Sequence, residues 1–194
     1  VERCRDITLF VRDMASLQTA RSSYRNARVV LCPDMALYSR VPVSRHAVGF
    51  HATLLLLRND RELNPAGLGS VPPVNATMDW MDMPTHLDWV MMKSFRSLSG
   101  NLSRVYKLLL RLGVSLDVLN RLKMRAFKAA ADRYLQAAVR VLSRYEHVYS
   151  TRMHGHILSV LMRKPNTLIA NSYFKNEAFY DCWTHVDDKS SFIP

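Results

Sequence analysis

The sequence feature that most constrains the fold is the uninterrupted apolar run ATLLLL at residues 52–57. A strand without polar alternation is typical of a parallel sheet that helices cover on both faces. Four further short segments, rich in β-forming residues, predict strands at 7–11, 28–32, 147–150 and 167–170.

Segments with helical character lie between these strands. The clearest spans about 116–145, where alanine, leucine and valine recur at helical spacing. Other helices are predicted at 14–25, 86–97, 99–112, 153–164 and 177–183. The proline-rich stretch 64–86 is predicted to be a long surface loop or insertion. Strands that alternate with helices predict an α/β fold with a parallel sheet.

The charge balance is strongly basic, with 27 lysines and arginines, 16 aspartates and glutamates and a formal net charge of +11. This surplus favours polyanions, phosphorylated small molecules or an anionic membrane surface as partners. The basic residues are spread along the chain, and neither a zinc-finger spacing nor an RNA-binding aromatic motif accompanies them. We therefore expect no nucleic acid among the partners.

Several classes of protein are disfavoured by what the sequence lacks. Cys4, Cys32 and Cys182 are odd in number and widely spaced, which fits a reducing compartment better than a disulfide framework or a CxxC metal site. The sequence contains no run of about 18 apolar residues, so no membrane span is predicted. The absence of GxGxxG, Walker and GxSxG motifs argues against nucleotide hydrolysis and serine-hydrolase chemistry. Because the sequence opens on Val1, we expect a fragment or a processed product.

Polar side chains follow every predicted strand. In open α/β sheets, ligands bind outside the carboxyl ends of the strands, so these side chains are candidates for a common site. The residues are Arg12, Asp13, Asp34, Arg58, Asp60, Glu62, Thr151, Arg152, His154, Asn171, Ser172, Tyr173 and Lys175. Four of them are cationic, which predicts a basic cleft for an anion.

The sharpest local signal is STRMHGH at 150–156, where a strand runs directly into a helix. A helix N-terminus offers free N–H groups and a positive dipole to a phosphate or carboxylate. Arg152 could add a bidentate contact, His154 could transfer a proton, and Gly155 would let the backbone approach a ligand.

Structural interpretations stand beside these functional ones. His154 could be only a hydrogen-bonded structural residue, and His154 with His156 lacks the nearby Cys, Asp or Glu partners that a metal site needs. Arg12 and Asp13 could form a surface pair or a helix cap. Arg58 and Glu62 could form an ion pair at the end of a strand.

Two C-terminal stretches resemble the signature of the polysaccharide pyruvyl transferases. They are STRMHGHILSVLMRKP (150–165) and ANSYFKNEAFYDCW (170–183). Three upstream segments resemble further landmarks of that family, in the expected order: FVRDMAS (10–16), CPDMAL (32–37) and LLRNDRE (56–62). Two residues depart from the pattern: Ala170 stands where aspartate is common, and Phe174 stands where glycine is usual.

The resemblance implies a GT-B-like fold of Rossmann-type parallel sheets flanked by helices, without the N-terminal part of the first domain. Residues 1–50 would end an N-terminal Rossmann-like domain. Residues 51–194 would form a C-terminal Rossmann-like domain with the loop or insertion at 64–86.

The resemblance also implies a reaction, the transfer of the pyruvyl group of phosphoenolpyruvate to a sugar as a ketal. Arg12, Arg58, Arg152 and Lys175 would bind the donor's carboxylate and phosphate. His154 would act as general acid or base, and Arg152 would offset charge on the departing phosphate. The candidates for orienting or binding hydroxyl groups are Asp34, Asp60 and Glu62. Neither a metal nor an organic cofactor would be needed.

Two other functions remain open from the sequence: a GT-B glycosyltransferase that uses a nucleotide sugar, and a degenerate, non-catalytic relative that acts as an interaction module. The acceptor would be a glycan or a lipid-linked oligosaccharide. In a bacterial host we expect a cytoplasmic protein with peripheral contact to an anionic membrane, and in a eukaryotic host a Golgi protein.

Overall fold

The computed structural model describes residues 6–41, 52–112 and 117–194. Its strands and helices follow in the order β1 (Ile7–Val11), α1 (Met14–Ser23), β2 (Ala27–Leu31), β3 (Thr53–Leu56), β4 (Ala76–Met78), α2 (His86–Arg111), α3 (Asp117–Leu142), β5 (His147–Ser150), α4 (Met153–Leu161), β6 (Asn166–Ile169), α5 (Lys175–Phe179) and β7 (Ser190–Ile193). Short 3-10 turns occur at Met35–Tyr38, Ala66–Ser70 and Trp80–Asp82, and a π-helical turn at Tyr180–Thr184. None of the helices in the described ranges is long and apolar enough to cross a membrane.

The described strands form two parallel sheets. One consists of β1 and β2, and the other has the strand order β4-β3-β5-β6-β7. The predicted α/β class, with a parallel sheet flanked by helices, is confirmed. The pairing of two such domains in a GT-B arrangement stays a prediction.

The interior of the larger sheet explains the apolar run from which the fold was predicted. Leu54 and Leu56 of β3, Val148 of β5 and Leu168 of β6 have no exposed surface. Consecutive residues of β3 are buried because side chains on both faces of a central parallel strand are covered. A second cluster, with Met153, Ile157 and Phe179, packs α4 and α5 against β6.

The chain divides into two compact units: Val1–Trp80 together with Leu142–Pro194, and Met81–Val141. Both sheets belong to the first unit. The predicted domain boundary at residue 50 falls within 42–51, outside the described residues, and stays a prediction.

Three elements differ from the predictions. The segment 64–86 contains the short strand β4, whose start is fixed by the Asn75 side chain accepting a hydrogen bond from the backbone N–H of Thr53 at 2.8 Å. Residues 190–193 form the edge strand β7, which was not predicted. The helices predicted at 86–97 and 99–112 are one helix, α2. Ser99, in the middle of α2, donates a hydrogen bond to the Lys123 carbonyl of α3 at 3.3 Å. The helix therefore contacts α3 at the point where a break was predicted.

Asp88 anchors the helical unit Met81–Val141. It completes a capping box with Thr85 at the start of α2, and it forms ion pairs with Arg133 at 3.1 Å and Arg140 at 2.5 Å. Burial opposes ionisation of Asp88, but hydrogen bonds from Thr85 and Arg140 lower its pKa below the usual range. Asp88 therefore carries its charge inside the unit with three polar partners.

His156 of α4 has a structural role. It is fully buried, and its Nε2 lies 2.9 Å from the Thr184 hydroxyl. Burial lowers the pKa of His156 to about 4, so the folded protein holds a neutral imidazole at neutral pH. The unfolded chain binds this proton near pH 6.5. The stabilising effect is present above pH 6.5 and is lost as the pH falls towards 4.

Replacing His156 with glutamine is expected to reduce the loss of stability at mildly acidic pH. In the wild type, His156 alone accounts for a loss of about 2 kcal/mol in the free energy of unfolding between pH 7 and pH 5. Urea titrations at the two pH values measure this difference. His147, whose pKa burial also lowers, adds to the loss in every variant.

The matched control is His154→Gln, because the His154 side chain is 62% exposed. In this control, the free energy of unfolding should differ between pH 7 and pH 5 by as much as in the wild type. If the His156→Gln variant also showed the wild-type difference, the assignment of the pH dependence to the buried imidazole would be contradicted.

Candidate active site

A cavity of about 170 Å³ lies at the carboxyl ends of the strands in the first unit. It is lined by Arg12, Arg58, Trp80, Arg152, Met153, His154 and Lys175. Five of these were predicted as site residues, and they follow β1, β3, β5 and β6. The shared direction of β3, β5 and β6 in one sheet brings four of them together, and Arg12 comes from the end of β1 in the other sheet.

Arg58 is the most enclosed cation of the cavity, at 8% exposure. Asp60 binds it in a bidentate manner, at 2.7 and 3.0 Å, and Glu62 accepts a third hydrogen bond at 2.6 Å. The ion pair of Arg58 and Glu62 that the sequence left open is therefore present. Glu62 also accepts a hydrogen bond from the Lys175 ammonium at 2.8 Å. The sequence-distant Lys175 is thus held beside Arg58 by one shared carboxylate.

The two carboxylates of this network remain ionised. A hydrogen bond from Arg58 is the main cause that lowers the pKa of Asp60. A hydrogen bond from Lys175 is the main cause that lowers the pKa of Glu62. The network therefore combines two cations with two anions, which limits its net charge.

Arg152 is oriented by Asp79, a residue that the sequence analysis did not identify. The guanidinium donates to both Asp79 oxygens, at 2.5 and 2.7 Å, and a third nitrogen lies 3.6 Å from Asp60. The hydrogen bond from Arg152 lowers the pKa of Asp79. Asp79 follows β4, so the rule used for the other strands would have found it had β4 been predicted.

His154 lies at the open side of the cavity, with Asp34 and Arg12 as neighbours. Its Nε2 is 3.8 Å from Asp34 Oδ2, and the same oxygen is 3.4 Å from Arg12 Nη1. The backbone carbonyl of Arg12 accepts a hydrogen bond from the Trp183 indole at 2.7 Å. Asp34 also accepts from the Ala36 N–H, which fixes the turn after β2. A protonated His154 would therefore have a carboxylate within reach.

Helix α4 starts at the cavity, and its first residues Met153 and His154 line it. Its N-cap is Arg152, whose side chain makes no capping hydrogen bond. The first N–H groups of a helix have no acceptor within the helix, and the helix dipole is positive there. The helix start that was predicted at 150–156 is therefore present, and anion binding there stays a prediction.

Asp13 takes the helix-cap role that the sequence left open. It accepts hydrogen bonds from the backbone N–H and the hydroxyl of Ser16, at 2.7 and 2.8 Å, at the start of α1. A role for Asp13 in substrate binding stays a prediction.

The loop after β6 divides between buried and exposed residues. Asn171 is buried, and its side chain accepts a hydrogen bond from the Asn176 N–H at 3.1 Å. Ser172 donates to the Arg61 carbonyl at 3.2 Å, while Tyr173 is exposed. These three do not line the cavity, so their predicted contacts with substrate stay predictions.

Gly155 is explained first by packing. A Cβ at this position would lie 2.7 Å from Leu56 Cδ1 and 2.7 Å from Ser150 Oγ. The glycine therefore lets α4 lie against β3 and β5, and its missing side chain faces the sheet. A contact between its backbone and a ligand stays a prediction.

Within the described ranges, no group of three or more histidine, cysteine or acidic side chains is placed to hold a metal ion. The prediction that the site needs no metal stays a prediction.

Substituting alanine for Gly155 is expected to lower the free energy of unfolding by about 1–3 kcal/mol, because the added methyl group overpacks the space before Leu56 and Ser150. Chemical denaturation measures the change. Gly69→Ala is the control, since nothing lies within 4 Å of the point that its added methyl group would occupy. Equal effects of the two substitutions would contradict the packing role of Gly155.

The pairing of Arg152 with Asp79 can be measured by a double-mutant cycle on the free energy of unfolding. The Arg152→Ala, Asp79→Ala and double variants should give a coupling energy of about 1–3 kcal/mol, because either single change already removes both charge-assisted hydrogen bonds. The same cycle on Arg12 and Asp34 should give less than about 1 kcal/mol, since Arg12 is 41% exposed and the contact is 3.4 Å. Coupling of equal size in both pairs would contradict the proposed orientation of Arg152 by Asp79.

Comparison with known proteins gives a consistent result. A family model described as polysaccharide pyruvyl transferase matches residues 2–173. The chain is 30% identical over 182 residues to a Bacillus subtilis protein named "Putative pyruvyl transferase EpsO". The match covers 92% of this chain and 51% of that protein, so the chain spans about half the length of this relative. The chain belongs to the polysaccharide pyruvyl transferase family.

Proposed function

We propose that the protein transfers the pyruvyl group of phosphoenolpyruvate to two hydroxyl groups of a sugar residue, as a ketal, and that the cavity is its donor site. The observation that carries the proposal is the arrangement of Arg12, Arg58, Arg152 and Lys175 around one small cavity, with His154 at its open side. Family membership supports the same reaction.

The size of the cavity supports a small donor. Its volume of about 170 Å³ lies below the range of roughly 300–1,000 Å³ that is typical of sites for drug-sized ligands. A nucleotide sugar falls in that larger class. The cavity therefore favours phosphoenolpyruvate over the nucleotide sugar of a GT-B glycosyltransferase.

The charges of the cavity fit a donor with two anionic groups. Arg58 and Arg152 are held by carboxylates, so their guanidinium planes are already oriented. Arg12 is the more exposed arginine, and its one carboxylate contact is long, at 3.4 Å. In the proposal, Arg12, Lys175 and the start of α4 bind the donor's carboxylate and phosphate, while Arg152 stabilises the departing phosphate.

His154 is proposed as the group that moves protons. As the acid, it gives a proton to the CH₂ carbon of phosphoenolpyruvate, which becomes a methyl group and leaves C2 with oxocarbenium character. The first sugar hydroxyl adds to C2 and loses its proton to His154. Asp34 lies beside the imidazole, with its Oδ2 3.8 Å from His154 Nε2.

The second half of the reaction forms the ketal. The C2–O bond to phosphate breaks, and the phosphate leaves with the bonding electron pair. The second sugar hydroxyl then adds to C2, and its proton is taken up by the phosphate. The products are the pyruvyl ketal and inorganic phosphate, and no oxidant or reductant is involved. The acceptor is a sugar residue of a glycan or of a lipid-linked oligosaccharide.

The His154→Ala variant tests the proposal. Phosphate release from phosphoenolpyruvate is measured for the protein in its natural length, with a panel of β-galactosides and β-mannosides as acceptors. Loss of the acid–base group is expected to reduce turnover by at least about 100-fold, while calorimetric binding of phosphoenolpyruvate stays within about threefold. Arg12→Ala is expected to weaken that binding instead.

His185→Ala is the matched control, because His185 is an exposed histidine outside the cavity lining. It should keep wild-type turnover. Turnover of His154→Ala within about tenfold of wild type would contradict the role of His154. If the wild type neither releases phosphate with any acceptor nor binds phosphoenolpyruvate, the proposed function is wrong and a non-catalytic role is favoured.

A further inference from the structure

Helix α2 carries two parallel rows of residues at a spacing of three and four. The inner row is buried or half-buried, and its residues Ser99 and Tyr106 both contact Lys123 of α3. The outer row lies one residue earlier and is exposed, with members Leu87, Met91, Leu98, Val105 and Leu108 and, directly after the helix, Leu112. Such a spacing places each row on one face of the helix. One apolar face of α2 is therefore covered by α3, and the adjacent apolar face is open.

The start of α3 extends this open face. Lys123, early in α3, contacts Ser99 and Tyr106 in the second half of α2. The later Arg133 and Arg140 pair with Asp88 near the start of α2, so the helices run antiparallel. In an antiparallel pair, the residue before each contact position lies on the same side of both helices. Val118 and Leu122, both exposed, occupy such positions on α3. We call Val105, Leu108, Leu112, Val118 and Leu122 the tip surface.

Exposed cations border the tip surface. Residues 104–128 contain seven lysines and arginines and one aspartate, Asp117. Six of the seven cations are exposed: Arg104, Lys107, Arg111, Arg121, Arg125 and Lys128. In the sequence they are interleaved with apolar residues and form no block. On α2, Arg104 and Arg111 lie four residues before and three residues after Leu108. On α3, Arg121 and Arg125 lie three residues after Val118 and Leu122, so these four cations border the tip surface. Residues 81–141 hold eleven lysines and arginines and four aspartates, a net charge of +7 of the chain's +11.

We propose that the tip surface binds the interface of an anionic lipid bilayer. An apolar helical face flanked by lysine and arginine is the arrangement by which helices lie in a membrane interface, where basic residues meet anionic headgroups and leucines enter the acyl boundary. If a second copy of the chain bound here instead, the cations that border the two tip surfaces would be brought close together and would repel each other. The second copy would also lack the acidic side chains that pair with lysine and arginine beside a coiled-coil seam. Charge complementarity therefore selects the bilayer, whatever reaction the protein catalyses.

Vesicle co-sedimentation tests the proposal. The wild-type protein is mixed with phosphatidylcholine vesicles, either pure or containing about 30% phosphatidylglycerol, at low and high salt. It should bind the anionic vesicles at about 0.1 M salt, at least tenfold more weakly at about 0.5 M salt, and not bind the pure phosphatidylcholine vesicles.

Two double variants separate the contributions of charge and apolar contact. Arg104→Glu with Arg111→Glu should weaken binding by at least about tenfold, and so should Leu108→Gln with Leu112→Gln. All four residues are exposed, so circular dichroism should show unchanged helicity. Should one variant fail to fold, the other still provides the test.

The control carries the same change in net charge on the other unit. Arg21→Glu with Arg28→Glu replaces two exposed arginines there and should keep binding within about twofold. Equal loss in the control would overturn the proposal, because binding would then follow total charge. Sedimentation as a dimer that the Leu108→Gln and Leu112→Gln variant dissociates, without vesicle binding, would also overturn it in favour of a second copy.

Discussion

Helix α4 can lie against β3 and β5 because position 155 has no side chain. The distances of 2.7 Å to Leu56 and Ser150 show that even a methyl group would need one of these neighbours to move. This close approach sets how near α4 lies to the sheet, and the first residues of α4 line the cavity. The position of Arg152 and His154 therefore depends on a packing constraint in the core, and a change in that packing would move both groups together.

The ion pairs around the cavity explain how several cations can be held close together. Arg58, Arg152 and Lys175 each face a carboxylate, and hydrogen bonds from these cations lower the pKa of Asp60, Glu62 and Asp79. Without these acids the like charges would repel each other, and the long side chains would lose their orientation. The acids limit the net charge of the site, so a bound anion must compete with them. A ligand with two anionic groups competes with these carboxylates better than a ligand with one, because it can replace more than one of the ion pairs that its binding breaks.

The sequence predicted the parts of the fold that depend on local pattern. The β3 run, the alternation of strands and helices, and the polar residues after each strand all follow from period and burial, and the cavity gathers five of the predicted side chains. The strands β4 and β7 are short and contain threonine or serine, so no apolar run marks them. Asp79 was missed together with β4. Its bond to Arg152 joins residues 73 positions apart, and only the order of strands in the sheet brings such residues together.

The two departures from the family pattern fall on different parts of the site. Phe174 has a left-handed backbone with φ of 56°, a conformation that favours glycine, which accounts for the glycine usual at this position. The phenylalanine keeps that conformation, and the chain enters α5 with Lys175 bound to Glu62. Lys175 is thus held at the cavity, with the exposed ring of Phe174 beside it in the chain. Ala170 is buried and donates its backbone N–H to the Ile193 carbonyl of β7, so this residue supports the sheet through its backbone. At both positions the residue present is therefore compatible with the hydrogen bonds around it, and Phe174 adds an exposed aromatic ring next to Lys175.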